Sequence, residues 1–221
     1  MSTYLILKWA HIIAMAYWLG GEWGVFNASR PITNTKLSLE ERHRHMETAY
    51  RIDILPRTGI ILLLPLGLHM GAILGVQPLK GPWIVGMWIF IAFWLSITFS
   101  AFYHRGTDLG VRLTKIDESF RYVTIPLLLI FGIYSLINNK PFTVDWYSAK
   151  VSLYGFALII GLGLRFIMRN WVMLFRRIES GNDPEAEARL SRELAFGRGL
   201  AYLYWVTIAT VAYFGVAKPM F

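Results

Sequence analysis

The chain has 221 residues, of which 55% are hydrophobic and 16% are charged, with a formal net charge of +8. This composition is too apolar for a soluble domain of this length and is typical of an integral membrane protein. The sequence contains no cysteine, which excludes disulfides, thiolate metal sites, iron–sulfur clusters and covalently attached c-type haem.

Six segments are apolar enough, or nearly so, to cross a hydrocarbon core of ~30 Å as helices. They are residues 4–27, 56–77, 82–103, 121–138, 146–168 and 194–216. The first, third and fifth connections hold six, four and seven Lys and Arg residues, whereas the second and fourth hold one each. The positive-inside rule therefore predicts one all-α transmembrane bundle, residues 1–221, with about six spans and both termini outside.

The basic residues alternate with apolar spans and do not form one polar domain, so the charge predicts topology and not nucleic-acid binding. The charge bias fits a bacterial inner membrane, with an organelle as the alternative. The connection after the first span contains "KLSLEERHRHMETAYRI", which predicts a solvated amphipathic helix. Ser38 and Glu41 have the spacing of a capping box, and His43 and His45 are expected to be solvated.

The first span carries polar and ionisable side chains at membrane depth, spaced by three or four residues along one stripe of the helix. They are Lys8, His11, Met15, Trp18 and Glu22. Charged groups are costly in hydrocarbon and usually face protein or a cavity. This stripe is therefore predicted to face the bundle interior, and Gly20 and Gly24 have a spacing that favours close helix packing.

Two histidines are predicted to lie at matched depth on antiparallel neighbours. His11 lies ~10 Å and His69 ~12 Å below the same outer surface. Such a pair can supply both axial imidazoles to haem b, which would be held non-covalently. Two alternatives stay open: each histidine makes an interhelical hydrogen bond, or the two bind copper together with the thioether of Met15 or Met70.

Lys150 and Lys8 also lie near the outer face. Lys8, Lys150 and Trp18 complete the predicted cofactor site, with a lysine meeting a haem propionate or Lys150 acting as an axial ligand. The alternative for Lys150 is snorkelling to the lipid headgroups.

A second polar layer is predicted near the inner face. Its members are Glu22, Arg57, His104, Arg165 and Arg198. This layer holds a second cofactor, a quinone head group or a proton entry in one interpretation. In the other, ion pairs between Glu22 and Arg57 or Arg198 fix the helix register.

Four stretches resemble a known superfamily of membrane proteins. They are "YLILKWAHIIAMAYWLGG", "METAYRIDILPRTGI", "DWYSAKVSLYGFALIIGLGLRFIMR" and "RLSRELAFGRGLAYLYWVTIATVAYFG". Together they are similar to the superfamily that joins the copper resistance protein D (CopD) family and the HemJ-type protoporphyrinogen oxidases. The resemblance implies a membrane bundle associated with haem b, in which His11 and Lys150 take positions used for haem binding or catalysis. His69 and His104 depart from the HemJ-type pattern.

Three functions follow as expectations. The first is a b-type cytochrome with bis-histidine ligation that exchanges electrons with a quinone or a periplasmic redox protein. The second is a HemJ-like enzyme that oxidises a porphyrinogen. The third is a CopD-like copper or metal transporter, or a structural membrane protein, although the outer connections lack the methionine and histidine expected for copper uptake. Glycine-rich helix faces and exposed aromatic residues permit a homo-oligomer in the lipid bilayer.

Overall fold

A computed structural model describes residues 2–181 and 183–219, and within them every regular element is helical. The helices are α1 (Thr3–Ser29), α2 (Leu39–Ile52), α3 (Ile54–Ile73), α4 (Pro82–Tyr103), α5 (Asp108–Asn138), α6 (Asp145–Glu179) and α7 (Pro184–Ala217). A 3-10 turn, Arg30–Thr33, follows α1. The predicted all-α fold is confirmed for the described residues.

Five helical segments are long and apolar enough to cross a membrane, namely Leu39–Ile73, which combines α2 and α3, and the helices α4, α5, α6 and α7. A helical membrane bundle is therefore confirmed. The α1 helix is not among the five, although its 27 residues are long enough. Lys8, His11 and Glu22 make it less apolar than the other five.

The α2 helix forms as the sequence predicts. The Ser38 side chain accepts the backbone N–H of Glu41, and the Glu41 carboxylate accepts the backbone N–H of Ser38. Its charged surface makes α2 a solvated helix that leads directly into α3, where the apolar span lies.

Three helices, α5, α6 and α7, are much longer than the predicted spans, and α7 has 34 residues. The α5 and α6 helices have 31 and 35 residues, or ~46 and ~52 Å, against a hydrocarbon core of ~30 Å. The additional turns of both helices lie at one end of the bundle, with the α1–α3, α4–α5 and α6–α7 connections. We call this the arginine-rich end, and the opposite end, where α1 begins and α7 ends, the terminal end.

Glycine sets the close contact of α1 with α3. A Cβ atom on Gly59 would lie 2.6 Å from the carbonyl oxygen of Ala14, so the two backbones touch there. A Cβ atom on Gly24 would lie 2.9 Å from Ile52, whereas Gly20 has no neighbour within 4 Å. The expected packing role is therefore confirmed for Gly24 and wrong for Gly20.

Candidate functional site

A cavity of about 240 Å³ lies in the half of the bundle nearest the terminal end. Residues of α1, α3, α6 and α7 form most of its wall, and most of them are apolar. Ile12 of α1 and Val216 of α7 line it and are themselves exposed. The cavity therefore reaches the surface between α1 and α7. We call it the His11 cavity.

His11 is partly buried in the wall of this cavity, where its ring lies against α3. A Cβ atom on Gly67 would lie 3.5 Å from its Cε1 atom, so glycine leaves the imidazole ordinary contact distance. Its Nδ1 atom is buried and has no hydrogen-bond partner among the described residues. Buried polar atoms nearly always have a partner, so the His11 imidazole, which lines the cavity, is a candidate ligand group.

Two lysines line the same cavity. Lys8 lies one turn before His11 on α1, and Lys150 projects from α6. A Cβ atom on Gly215 of α7 would lie 2.5 Å from the Nζ atom of Lys150, so this glycine provides the space for the ammonium group. Neither lysine makes an ion pair within the described part of the chain. The cavity thus combines apolar walls with two cations that lack a counter-charge.

Trp18 forms the floor of the His11 cavity. The side chain is fully buried, and its indole N–H donates a hydrogen bond to the Tyr204 hydroxyl at 3.0 Å. Tyr154 packs edge-on against it with ring centroids 6.0 Å apart and donates its own hydroxyl to the carbonyl oxygen of Ile60. The stripe of α1 from His11 to Glu22 therefore faces the bundle interior as predicted, whereas its first member, Lys8, is exposed.

His69 does not join His11. Its Nδ1 atom accepts a hydrogen bond from the indole N–H of Trp88 on α4 at 3.2 Å, and it does not line the cavity. Successive helix residues are turned by ~100°, so His69 lies ~200° around α3 from Gly67, which faces the cavity. His11 and His69 therefore do not form the expected bis-histidine pair. His69 instead makes an interhelical hydrogen bond, which was the alternative prediction.

Unlike His69, the two methionines considered as ligands lie in the same cavity as His11. Met15 of α1 and Met70 of α3 both line the His11 cavity. The cavity therefore offers one imidazole and two thioethers, with no group of three or more His, Cys, Asp or Glu side chains suited to a metal ion anywhere in the described residues.

The predicted inner layer forms in part. Glu22 and Arg57 line one cavity of about 40 Å³, and Glu22 and Arg198 line another of about 40 Å³. His104 is exposed at the end of α4 and lines neither cavity, so its assignment to this layer is wrong. Arg57 pairs with Asp53, and no ion pair joins it to Glu22 in the described residues.

The sequence reasoning missed the most buried carboxylate of this layer. Asp117 has no exposed surface. It accepts hydrogen bonds from Trp94 Nε1 and Thr98 Oγ1, both at 2.8 Å. It also pairs with Arg165 and, at 3.5 Å, with Arg121.

Glu118, the next residue, was also missed. It pairs with Arg169 and lies 3.6 Å from the Nε atom of Arg165. The available signal was the spacing of four residues between Asp117 and Arg121, which favours an ion pair on one helix face. The predicted span began at residue 121, so both acids were assigned to the connection.

No family model, curated protein or solved structure matches this chain. The fold and the cavity alone therefore define the class, a helical membrane protein with an interior site that opens between two helices.

Proposed function

We propose that the His11 cavity binds haem b and that the protein is a membrane-embedded haem protein of electron transfer. One observation carries this proposal: His11, whose buried Nδ1 atom has no hydrogen-bond partner in the described residues, shares an apolar cavity with two lysines that make no ion pair there. The imidazole supplies an iron ligand, the apolar wall suits the macrocycle, and the lysines suit the two propionates.

The proposal follows from the cost of burying polar groups. A buried nitrogen without a hydrogen bond is destabilising, and a metal would satisfy His11. Two ammonium groups near hydrocarbon favour an anionic ligand for the same reason. Lys8 is exposed and Lys150 is partly buried, and both lie in the half nearest the terminal end. The carboxylates of the ligand would therefore point toward that end.

A second ligand would come from a different residue than the sequence predicted. Met15 and Met70 line the cavity, and a histidine with a methionine is an established axial pair in cytochromes. When bound, haem would supply one-electron chemistry. The side chains of this chain would hold its propionates, provide the axial ligands and exclude water with Trp18 as the floor.

A HemJ-like enzyme is the second candidate, and the position of Lys150 favours it. The resemblance assigns His11 and Lys150 to haem binding or catalysis, and both residues line one cavity. A single histidine ligand with no methionine bound opposite would leave an open iron position, as redox chemistry on a substrate requires. A copper site would use the same histidine and methionines, but two lysines disfavour a cation.

The proposal includes the topology. We count α1 as a sixth span because its polar stripe faces α3 and the cavity, not the lipid. The positive-inside rule then orients the arginine-rich end toward the cytoplasm and the terminal end outside a bacterial inner membrane. A quinone or a periplasmic redox protein would be the partner.

The test is an absorbance spectrum of protein purified with adequate haem supply, oxidised and then reduced with dithionite. We expect a sharp reduced α band in the wild type, its loss in His11→Ala and its retention in His69→Ala. His69→Ala is the matched control, because it should keep the band if His11 is the one histidine ligand and lose it if both histidines bind the iron. A folded wild type without a haem spectrum, or an unchanged spectrum in His11→Ala, would overturn the proposal.

Carbon monoxide distinguishes the two candidates. A ferrous iron with methionine opposite His11 should resist CO, whereas an open position should bind it readily. In the first case Met15→Ala or Met70→Ala should create CO binding. CO binding by the wild type would support the enzyme candidate.

A further inference from the structure

Glu22 is the one residue of the α1 stripe that the proposed haem site does not use. It lies one turn beyond Trp18 and ~16 Å along the helix from His11. The side chain is partly buried, at the level of the buried arginines. Its carboxyl group makes no hydrogen bond and no ion pair within residues 2–181 and 183–219.

Three of the four arginines around Glu22 pair with other carboxylates, and the fourth, Arg198, makes no ion pair in the described residues. Asp53 pairs with Arg57, and Asp117 pairs with Arg165 and Arg121. Glu22 is therefore near several cations and bonded to none of them. A carboxyl group in this situation can gain or lose a proton without breaking an ion pair.

Two small cavities meet at Glu22, each of about 40 Å³. A cavity needs roughly 10–15 Å³ of this volume to hold one water molecule, together with polar partners. The first cavity contains Arg198 and Trp171, whose buried indole N–H has no partner in the described chain. Each cavity is thus large and polar enough for about two or three water molecules.

Tyr204 connects this layer with the His11 cavity. It lines the second cavity beside Glu22, and its hydroxyl accepts the hydrogen bond of Trp18 at 3.0 Å. A Cβ atom on Gly161 would lie 2.7 Å from that hydroxyl, so the glycine keeps the position open. The contact joins the floor of the His11 cavity to the side chains around Glu22.

We propose that Glu22 is a proton-exchange site reached by water from the arginine-rich end. Its carboxylate takes a proton from a hydronium ion in the first cavity, which leaves a carboxylic acid and a water molecule. No electron moves in this step. The loss of this negative charge then changes the electrostatic potential at the ligand of the His11 cavity, across Tyr204 and Trp18, a part of the inference that rests on the proposed function.

Several charged or titratable groups face Glu22 from the other helices and will set the midpoint of this exchange. They are Asp53 between α2 and α3, Arg57 on α3, Arg121 on α5, Arg165 on α6, and Arg198 and Tyr204 on α7.

The test is an infrared titration of the protein without added haem, so that its result is independent of the haem proposal. From about pH 9 to about pH 5, the carbonyl band of a protonated carboxyl group should appear. Glu22→Gln should remove this band, and the exposed control Glu185→Gln should keep it. Tyr204→Phe, which removes a hydroxyl beside Glu22 in the second cavity, should shift the pH at which half of this band appears. A band that survives in folded Glu22→Gln, or no titrating band in the wild type, would overturn the proton site.

A second measurement tests the coupling in haem-loaded protein. The haem reduction potential of the wild type should depend on pH, and Glu22→Gln should reduce this dependence while Glu185→Gln retains it. Reduction by dithionite supplies the electron, and Glu22 binds the accompanying proton. A potential that does not change with pH would overturn the coupling but not the proton site.

Discussion

Removing the charge of Asp117 should cost more stability than any other single change in the arginine-rich end. The carboxylate is fully buried and accepts hydrogen bonds from Trp94 and Thr98. It also faces the guanidinium groups of Arg165 and Arg121. Its removal therefore takes this acceptor from buried donors and buried cations.

Two substitutions separate the loss of stability caused by the broken ion pairs from the loss caused by the missing hydrogen bonds. Asp117→Asn keeps an acceptor oxygen for Trp94 and Thr98 but leaves Arg121 without a carboxylate partner and Arg165 with Glu118 alone, so it should cost about 3 kcal/mol, as for a broken buried ion pair. Asp117→Ala also orphans the Trp94 indole N–H at about 1–3 kcal/mol, whereas the Thr98 hydroxyl can still donate to the carbonyl oxygen of Trp94. The expected total is about 5 kcal/mol, which is comparable to the whole stability of many domains.

The assay is the free energy of unfolding in lipid–detergent micelles, followed by tryptophan fluorescence during denaturant titration. Asp108→Asn is the control, since it makes the same change at an exposed position of the same helix, where a charge near the helix N-terminus contributes only about 0.3–1 kcal/mol. If Asp117→Asn cost no more than Asp108→Asn, the ion pairs of the arginine-rich end would not stabilise the fold.

Three further predictions use other sites. Gly215→Ala should displace the Lys150 ammonium group and weaken haem binding about tenfold in a haem titration. Because alanine has a higher helix propensity than glycine, the same change should raise the free energy of unfolding by up to about 1 kcal/mol. Weaker binding together with lower stability would instead indicate general damage to the fold. Arg42→Ala should cost about 3 kcal/mol, because the buried guanidinium forms two 2.7 Å bonds with Glu187, and a loss below 1 kcal/mol in chemical denaturation would contradict this. The Ala186 N–H and the Arg177 guanidinium hold the pKa of Asp183 below its ordinary value, so its contribution to stability should be present at neutral pH and disappear as the pH falls below about 4; the stability difference between wild type and Asp183→Ala should therefore narrow in acid.

The stripe of α1 could be predicted because it depends on one helix alone. Residues three and four apart share a face whatever the helix packs against, so the sequence places His11, Trp18 and Glu22 together. The amphipathic α2 helix is equally local, since Ser38 and Glu41 form its cap without any other element.

The matched depth of His11 and His69 in the membrane could not show whether the two side chains face each other. Distance along a helix gives height in the membrane but not rotation about the helix axis. Close packing of Gly59 against α1, and of Gly67 and Gly71 against His11 and Tyr147, sets the rotation of α3. These glycines are spaced by multiples of four and predict the buried face, and His69 lies off that face.

Asp117 and Glu118 were missed for a different reason. A window chosen by apolarity ends where charges begin, although α5 continues from residue 121 back to Asp108. Their arginine partners on α6 are about fifty positions away in the sequence. Only the fold brings these charges together, so the sequence showed the excess of arginine but not its buried partners.

The distribution of ion pairs explains how the His11 cavity can stay open. Every ion pair between described residues lies at the arginine-rich end, where Asp117, Glu118 and Arg42 join helices that are distant in the chain. The His11 cavity, in the half nearest the terminal end, is instead lined by two unpaired lysines and by a histidine whose Nδ1 atom has no partner in the described residues. Ion pairs thus join the helices at one end only, and near the other end the His11 cavity lies between α1 and α7. Binding in the His11 cavity should therefore stabilise the terminal half most, and His11 and Lys150 are the residues through which it would act.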